Sequence, residues 1–135
     1  MAAAVSDFRP ITTSKQKIKK KNEDITIELT RNPDILEILG RTKREKQVII
    51  GFSAESENLE KNAAEKLQKK KIDMIIANDI TIPDIGFESD ENAVIILARD
   101  GSKELLQRQP KIQIARHIVN KLVDIFETVK EKKKA

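Results

Sequence analysis

Apolar residues along this chain fall into short unbroken runs, "AAAVSD" (2–7), "VIIGFSAES" (48–56) and "MIIAND" (74–79), each closing on or beside an acid. Continuous runs of this length predict strands buried on both faces, as in a parallel sheet, because half-solvated strands alternate polar and apolar positions. Between the runs the spacing becomes helical. "NPDILEILG" (32–40) puts Asn32 at the N-cap, Pro33 at the first helical position and Gly40 just beyond the end. "ENLEKNAAEKLQKKK" (57–71) aligns Leu59, Ala63, Lys66, Leu67 and Lys70 along one side, a stripe suited to lie on a sheet. Strand, helix, strand, helix, strand predicts βαβ units, hence a doubly wound, Rossmann-like α/β domain with a mostly parallel sheet and flanking helices.

Two segments have another rhythm. "KQKIKKKNEDITIEL" places Lys15, Lys17, Lys19 and Lys21 on one side, turns at Asn22-Glu23-Asp24 and returns with Ile25, Ile27 and Leu29 on one face, which predicts a hairpin arm over 15–30. "NAVIILARDGSKELL" predicts a second hairpin turned at Asp100-Gly101. From Pro110 onward, Ala115, Ile118, Leu122, Ile125 and Val129 recur at helical spacing, giving a C-terminal helix over 110–131.

A length of 135 residues suits one compact unit, so residues 1–135 are expected to form a single α/β domain. If "AAAV" ends a parallel strand, the chain opens partway through a sheet, and the expectation is an incomplete N-terminal half of a longer ligand-binding domain. With 26 Lys and Arg against 22 Asp and Glu, the net charge of +4 suits an anionic ligand without demanding a polyanion. The absence of cysteine excludes disulfides, zinc–thiolate sites and a cysteine nucleophile. No run is long enough to span a membrane and no signal sequence is visible, so a cytoplasmic location is expected. Four phenylalanines, with no Trp or Tyr, leave few stacking platforms, which argues against a nucleic-acid partner.

Candidate chemistry is sparse and mostly basic. The lysine arm reads either as a charged edge that discourages aggregation or as a surface for phosphates. Lys66 and Lys70, one helical turn apart, repel by about 0.2–0.5 kcal/mol unless an anion joins them; the alternative is a solvated helix end. The Asn32-Pro33-Asp34 helix start could present backbone N–H groups to a phosphate, or could simply be capped. The two common glycine-rich nucleotide fingerprints are missing. Asp7, Glu55 and Asp79 stand at predicted strand ends, the edge where open α/β sheets bind ligands. Asn78-Asp79, closing the apolar run, thus marks a site edge. His117 lacks a suitably spaced metal-ligand partner, which leaves it a surface or interface role, and no hydrolase triad is visible.

Taken together, "AAAVSDFRP", "KIKKK", "NPDIL", "GFSAESEN", "KKKIDMIIANDI" and "IGFESDEN" resemble, in order and spacing, phosphopantothenate-cysteine ligase, over Ala2 to about Leu97. The resemblance implies the C-terminal portion of a ligase of coenzyme A biosynthesis, often fused to a flavin-containing decarboxylase, so flavin would enter only through such a domain elsewhere. It implies that CTP activates 4'-phosphopantothenate as an acyl-cytidylate, with Mg2+ accompanying the triphosphate, and that cysteine then displaces CMP. It further implies a homodimer joined by hairpin arms. By its pattern Asp7 would meet the ribose or metal side of the nucleotide, Lys17 the triphosphate, and Pro33, Asp34, Ile35 and Leu36 the cytosine edge. Phe52 would touch the nucleotide, Lys66 and Lys70 would complete the site, and residues 82–92 would form a flap over it. Catalytic and metal-ligating residues stay unassigned. Ser6 and Ser53 depart from the commoner alanine and Ser56 from threonine. The N-terminal half that the family supplies has no counterpart, so this chain could need a partner carrying it. The rival reading from the residues alone is a basic, non-catalytic dimerisation or nucleic-acid-binding module.

Overall fold

The computed structural model describes residues 5–19, 24–82, 84 and 89–131, and of residues 128–131 the backbone only. The chain divides into two compact units, Met1–Ile35 and Leu36–Ala135, each considered by itself.

In the first unit a short antiparallel ribbon joins β1 (Phe8–Pro10) to β2 (Leu29–Arg31), Phe8 opposite Arg31 and Pro10 opposite Leu29. The expected arm over 15–30 is therefore paired at its base. Neither 15–19 nor 24–28 carries strand pairing, while Lys20 to Glu23, which include Asn22 and Glu23 of the expected turn, lie outside the described residues. The lysine alternation had suggested a strand where the ladder does not reach. Val5 to Asp7, the described end of the first apolar run, are likewise not a strand, and residues 2–4 of that run lie outside the description. Asn32 holds the ribbon closed. Its Nδ2 donates to the Ser6 carbonyl at 2.7 Å, its Oδ1 accepts from Arg9 at 2.8 Å, and its backbone N–H donates to the Asp7 carbonyl at 2.8 Å.

Asn32 is thus not the cap of the following helix, nor is Pro33 its first residue. Helix α1 spans Ile35–Thr42 and contains Gly40, which had been expected beyond its end. After it come β3 (Ile50–Glu55), α2 (Leu59–Lys69), β4 (Met74–Asp79), β5 (Glu91–Ala98), β6 (Lys103–Pro110) and α3 (Lys111–Glu131). The strands make one sheet in the order β3-β4-β5-β6. The α/β class holds, with flanking helices; in place of a mostly parallel sheet, the described strands form a mixed one. β3 and β4 are parallel, as their apolar runs predicted, and β4–β5 and β5–β6 are antiparallel.

Burial explains why β4 is apolar from Met74 to Ala77, its four buried positions, and turns polar at Asn78 and Asp79 where burial ends. It lies inside the sheet and is covered on both faces, so Ile75 and Ala77 join Ala63, Leu67, Ile72 and Leu97 in a core beneath α2. Met74 and Ile76 join Val94, Ile96, Leu106 and Ile114 in a second core beneath α3. The β5–β6 hairpin turns where predicted, with Gly101 at φ 88 and the Asp100 carboxylate accepting the Ser102 N–H at 2.8 Å. On α3, His117 Nε2 lies 2.7 Å from Glu104 of β6, which Lys121 approaches at 2.8 Å. Among the described residues no helix is long and apolar enough to cross a membrane.

Candidate functional site

On β3 the side chains alternate. Gly51, Ser53 and Glu55 are buried, whereas Ile50 packs against the core under α3 and Phe52 on that same side is 71% exposed. The buried side meets α2, whose stripe of Leu59, Ala63 and Leu67 is interrupted by Lys66. A lysine in an apolar stripe needs an anionic partner or a route to water. Lys66 has both. Its Nζ donates to Glu55 Oε1 at 2.5 Å and to Ser53 Oγ at 3.0 Å, and its side chain is 40% exposed.

Glu55 is the centre of this cluster. The Ser53 hydroxyl donates to the same Oε1, and Asn62 Nδ2 donates to Oε2 at 3.3 Å. Burial alone would raise the Glu55 pKa, but the hydrogen bonds from Lys66, Ser53 and Asn62 and the Lys66 charge together hold it below its ordinary 4.5. A carboxylate with a folded-state pKa below its unfolded value stabilises the fold above that unfolded value, and the contribution is lost as pH falls through the folded one. Acid unfolding should therefore lose part of its pH dependence below about pH 4.5 in Glu55→Gln, read from melts over an acidic pH series. An unchanged slope would show the carboxylate to be unperturbed.

The run 74–79 closes at this edge. Glu55 stands opposite Asp79 in the parallel register, so two of the three acids expected to gather do share the carboxyl end of the sheet. Asp7 belongs to the first unit and to no strand of this sheet. Asp79 closes a local turn. Its Oδ1 accepts the Thr81 hydroxyl at 2.6 Å and the Thr81 N–H at 2.8 Å, which lowers its pKa.

The other expected site residues are dispersed over the two units. Asp7 and Lys17 are exposed in the first unit outside its strands, and Pro33 and Asp34 connect β2 to α1. Ile35 and Leu36 open α1, but Leu36 is part of the core under α2, so its side chain is committed to packing. Lys70 is the C-cap of α2, its N–H donating to the Lys66 carbonyl at 3.0 Å while the Lys71 N–H donates to the Gln68 carbonyl at 3.2 Å. Within the second unit, Lys66 and Lys70 thus share a helix face, while Phe52 leaves β3 on the opposite side from Ser53 and Glu55. Residues 83 and 85–88 of the expected flap lie outside the described residues. A cavity of about 370 Å³ toward the C-terminal end of α2, lined by Leu67, Lys71, Arg99 and Ser102 among others, contains none of the expected residues. Ser53 and Glu55 are the residues that reading by spacing left without a role at Lys66. The available signal was their i, i+2 placement facing a helix with a lysine in its apolar stripe.

A mixed sheet of four strands with β3 and β4 parallel and helices packed on both its faces defines a domain of the α/β class. Comparison with known proteins narrows the class: residues 1–126 match the model of the DNA/pantothenate metabolism flavoprotein C-terminal domain, and the chain belongs to that family. It is 37% identical over 125 residues to the coenzyme A biosynthesis bifunctional protein CoaBC of Haemophilus influenzae, covering 93% of this chain and 31% of that protein. It is 38% identical over 130 residues to the Bacillus subtilis protein of the same name, covering 96% and 32%. The crystal structure of the C-terminal domain of CoaBC superposes with a TM-score of 0.69 at 35% identity, over 93% of this chain and 53% of that one. The chain therefore spans about a third of the length of these curated relatives. The resemblance legible in the motifs is upheld as a likeness to the C-terminal domain of such coenzyme A biosynthesis proteins.

Proposed function

We propose that this chain is the nucleotide-binding portion of a phosphopantothenate-cysteine ligase that uses CTP in coenzyme A biosynthesis. The observation that carries the reading is the 35% identical superposition on the C-terminal domain of CoaBC over 93% of the chain. In the proposed reaction a carboxylate oxygen of 4'-phosphopantothenate attacks the α-phosphorus of CTP, and the bond to pyrophosphate breaks. The amine of cysteine then attacks the acyl carbon of the acyl-cytidylate, CMP leaves, and the amine gives up a proton. Such chemistry asks the protein chiefly for in-line placement and charge cancellation. Lys17, Lys66 and Lys70 are proposed to supply the cationic groups, with Asp7, Pro33, Asp34, Ile35, Leu36 and Phe52 around the nucleoside. Magnesium is proposed as the counter-ion carried by the triphosphate. Among the described residues no group of three or more His, Cys, Asp or Glu could hold a metal, and no protein ligand is assigned to it. The apolar residues exposed in the first unit, Phe8, Ile11, Ile18, Ile25, Ile27 and Leu29, support a homodimer formed through the arm. Flavin belongs to the reading only with a decarboxylase domain outside this chain.

Titration calorimetry tests the proposal. CTP should bind in preference to ATP, and Lys66→Ala and Lys17→Ala should each weaken it roughly tenfold or more, since a hydrogen bond to a charged group is worth about 1.5–3 kcal/mol. Pyrophosphate release from CTP and phosphopantothenate should appear when the N-terminal half of a relative is supplied. Binding of RNA that vanishes with salt, with no preference for CTP, would favour the basic-module reading instead.

A further inference from the structure

The Ser53–Glu55–Lys66–Asn62 cluster is asymmetric. Glu55 is fixed: its side chain is 9% exposed, Oε1 accepts from both Ser53 and Lys66, and Oε2 accepts from Asn62, which is itself anchored on the Glu57 carbonyl at 2.9 Å. Lys66 is the partner nearer solvent, at 40% exposure. An ammonium has three donors. Among the described residues Ser53 Oγ and Glu55 Oε1 engage it, and the third donor is available to an incoming oxygen.

We propose that Glu55 is the resting counter-ion of Lys66, and that a phosphate group of the nucleotide draws the ammonium partly away from it. The Glu55 carboxylate then sets how tightly the site grips a triphosphate and how readily pyrophosphate is released. The proposal rests on the reading of Lys66 as a phosphate ligand and assigns Glu55 and Ser53 as positioning residues acting through it.

Two effects of the carboxylate oppose each other. It holds the lysine in one place, which favours binding, and it repels the phosphate that Lys66 contacts, which disfavours it. Glutamine separates them, because its amide oxygen still accepts from Lys66 and Ser53 while the negative charge is gone. Lys66 lies between the carboxylate and any phosphate it touches, so the two like charges stay within one side chain's reach and their repulsion is the larger effect. Glu55→Gln should consequently bind tighter.

The experiment is calorimetry of the full chain at fixed ionic strength, with CTP and with inorganic pyrophosphate, on wild type, Glu55→Gln, Lys66→Met and the double variant. Glu55→Gln should bind both ligands about three- to tenfold more tightly, and the gain should vanish in the Lys66→Met background. A merely structural Glu55 would weaken or leave unchanged both affinities, or act equally with and without Lys66, and either result overturns the proposal. If the wild-type chain binds neither ligand, the reading beneath the proposal fails and the proposal with it. Wild-type binding with no gain in Glu55→Gln refutes the proposal alone. Should Glu55→Gln not fold, the Lys66 ammonium nitrogen resonance in wild type gives the same decision. Saturating pyrophosphate should shift it, and an unmoved signal overturns the exchange.

Discussion

Gly40→Ala is expected to lower the melting temperature by roughly 6–12 °C, read by circular dichroism or calorimetry. A Cβ built on Gly40 falls on the backbone carbonyl oxygen of Lys70 and lies 3.0 Å from its carbon. The obstacle is main chain, so rotation of a side chain cannot relieve it, and α1 must move away from the end of α2. Two effects compete. Alanine inside a helix gains about 1 kcal/mol over glycine, whereas overpacking against an unyielding neighbour costs about 1–3 kcal/mol and occasionally more. Because the contact is with backbone, the upper part of that range applies and the net sign is destabilising, by about 2 kcal/mol. An unchanged or higher melting temperature would mean that the helices do not touch there. Gly51 offers the contrast. Its added Cβ would meet only the methyl ends of Leu36 at 2.6 Å and Ile72 at 2.8 Å, which can rotate away at smaller cost.

Gly40 also shows where local reading stops. A glycine closing an amphipathic run looks like a helix terminator, and nothing within ten residues reveals that α2 passes against it 30 residues later. Asn32 followed by Pro33 looks like a cap for the same reason, yet its side chain is used across the ribbon by Ser6 and Arg9. The lysine alternation of the arm suggested a strand, but pairing lies nearer the base, at Phe8–Pro10 and Leu29–Arg31. By contrast β4 was legible to the residue, since the part of a strand covered on both faces must be apolar, as Met74 to Ala77 are, and the β5–β6 turn was legible because Asp100-Gly101 encodes its own geometry. The site divides likewise. Lys66 and Lys70 follow from helical spacing, whereas the hold of Ser53 and Glu55 on Lys66 exists only once β3 and α2 pack.

Asp73→Ala should be comparably damaging, because this buried carboxylate pins the start of β3. Its Oδ2 accepts the Ile49 N–H at 2.7 Å, its own N–H donates to the Ile49 carbonyl at 2.9 Å, and its Oδ1 takes the ion pair with Lys43. Its carbonyl also accepts the Arg99 N–H at 2.9 Å, tying the end of β5 to the same point. Alanine keeps the backbone bonds but strands the Ile49 N–H and the Lys43 ammonium, whose side chain is 17% exposed. A stranded buried donor costs about 1–3 kcal/mol and a broken, largely buried ion pair about 3–5 kcal/mol. Partial access of Lys43 to water moderates the second figure, so a loss of about 3 kcal/mol is expected. Asp73→Asn retains an acceptor for Ile49 but sets its NH2 against Lys43, so it should lose about 2 kcal/mol, and Lys43→Met, which leaves Asp73 bonded to Ile49, should lose less than either. That order, measured by urea melts, separates the hydrogen bond from the charge. Since Ile49 immediately precedes β3, hydrogen exchange at its amide should accelerate in Asp73→Ala before the core under α3 is affected. Equal stability of Asp73→Ala and wild type would mean that β3 is placed by its pairing with β4 alone.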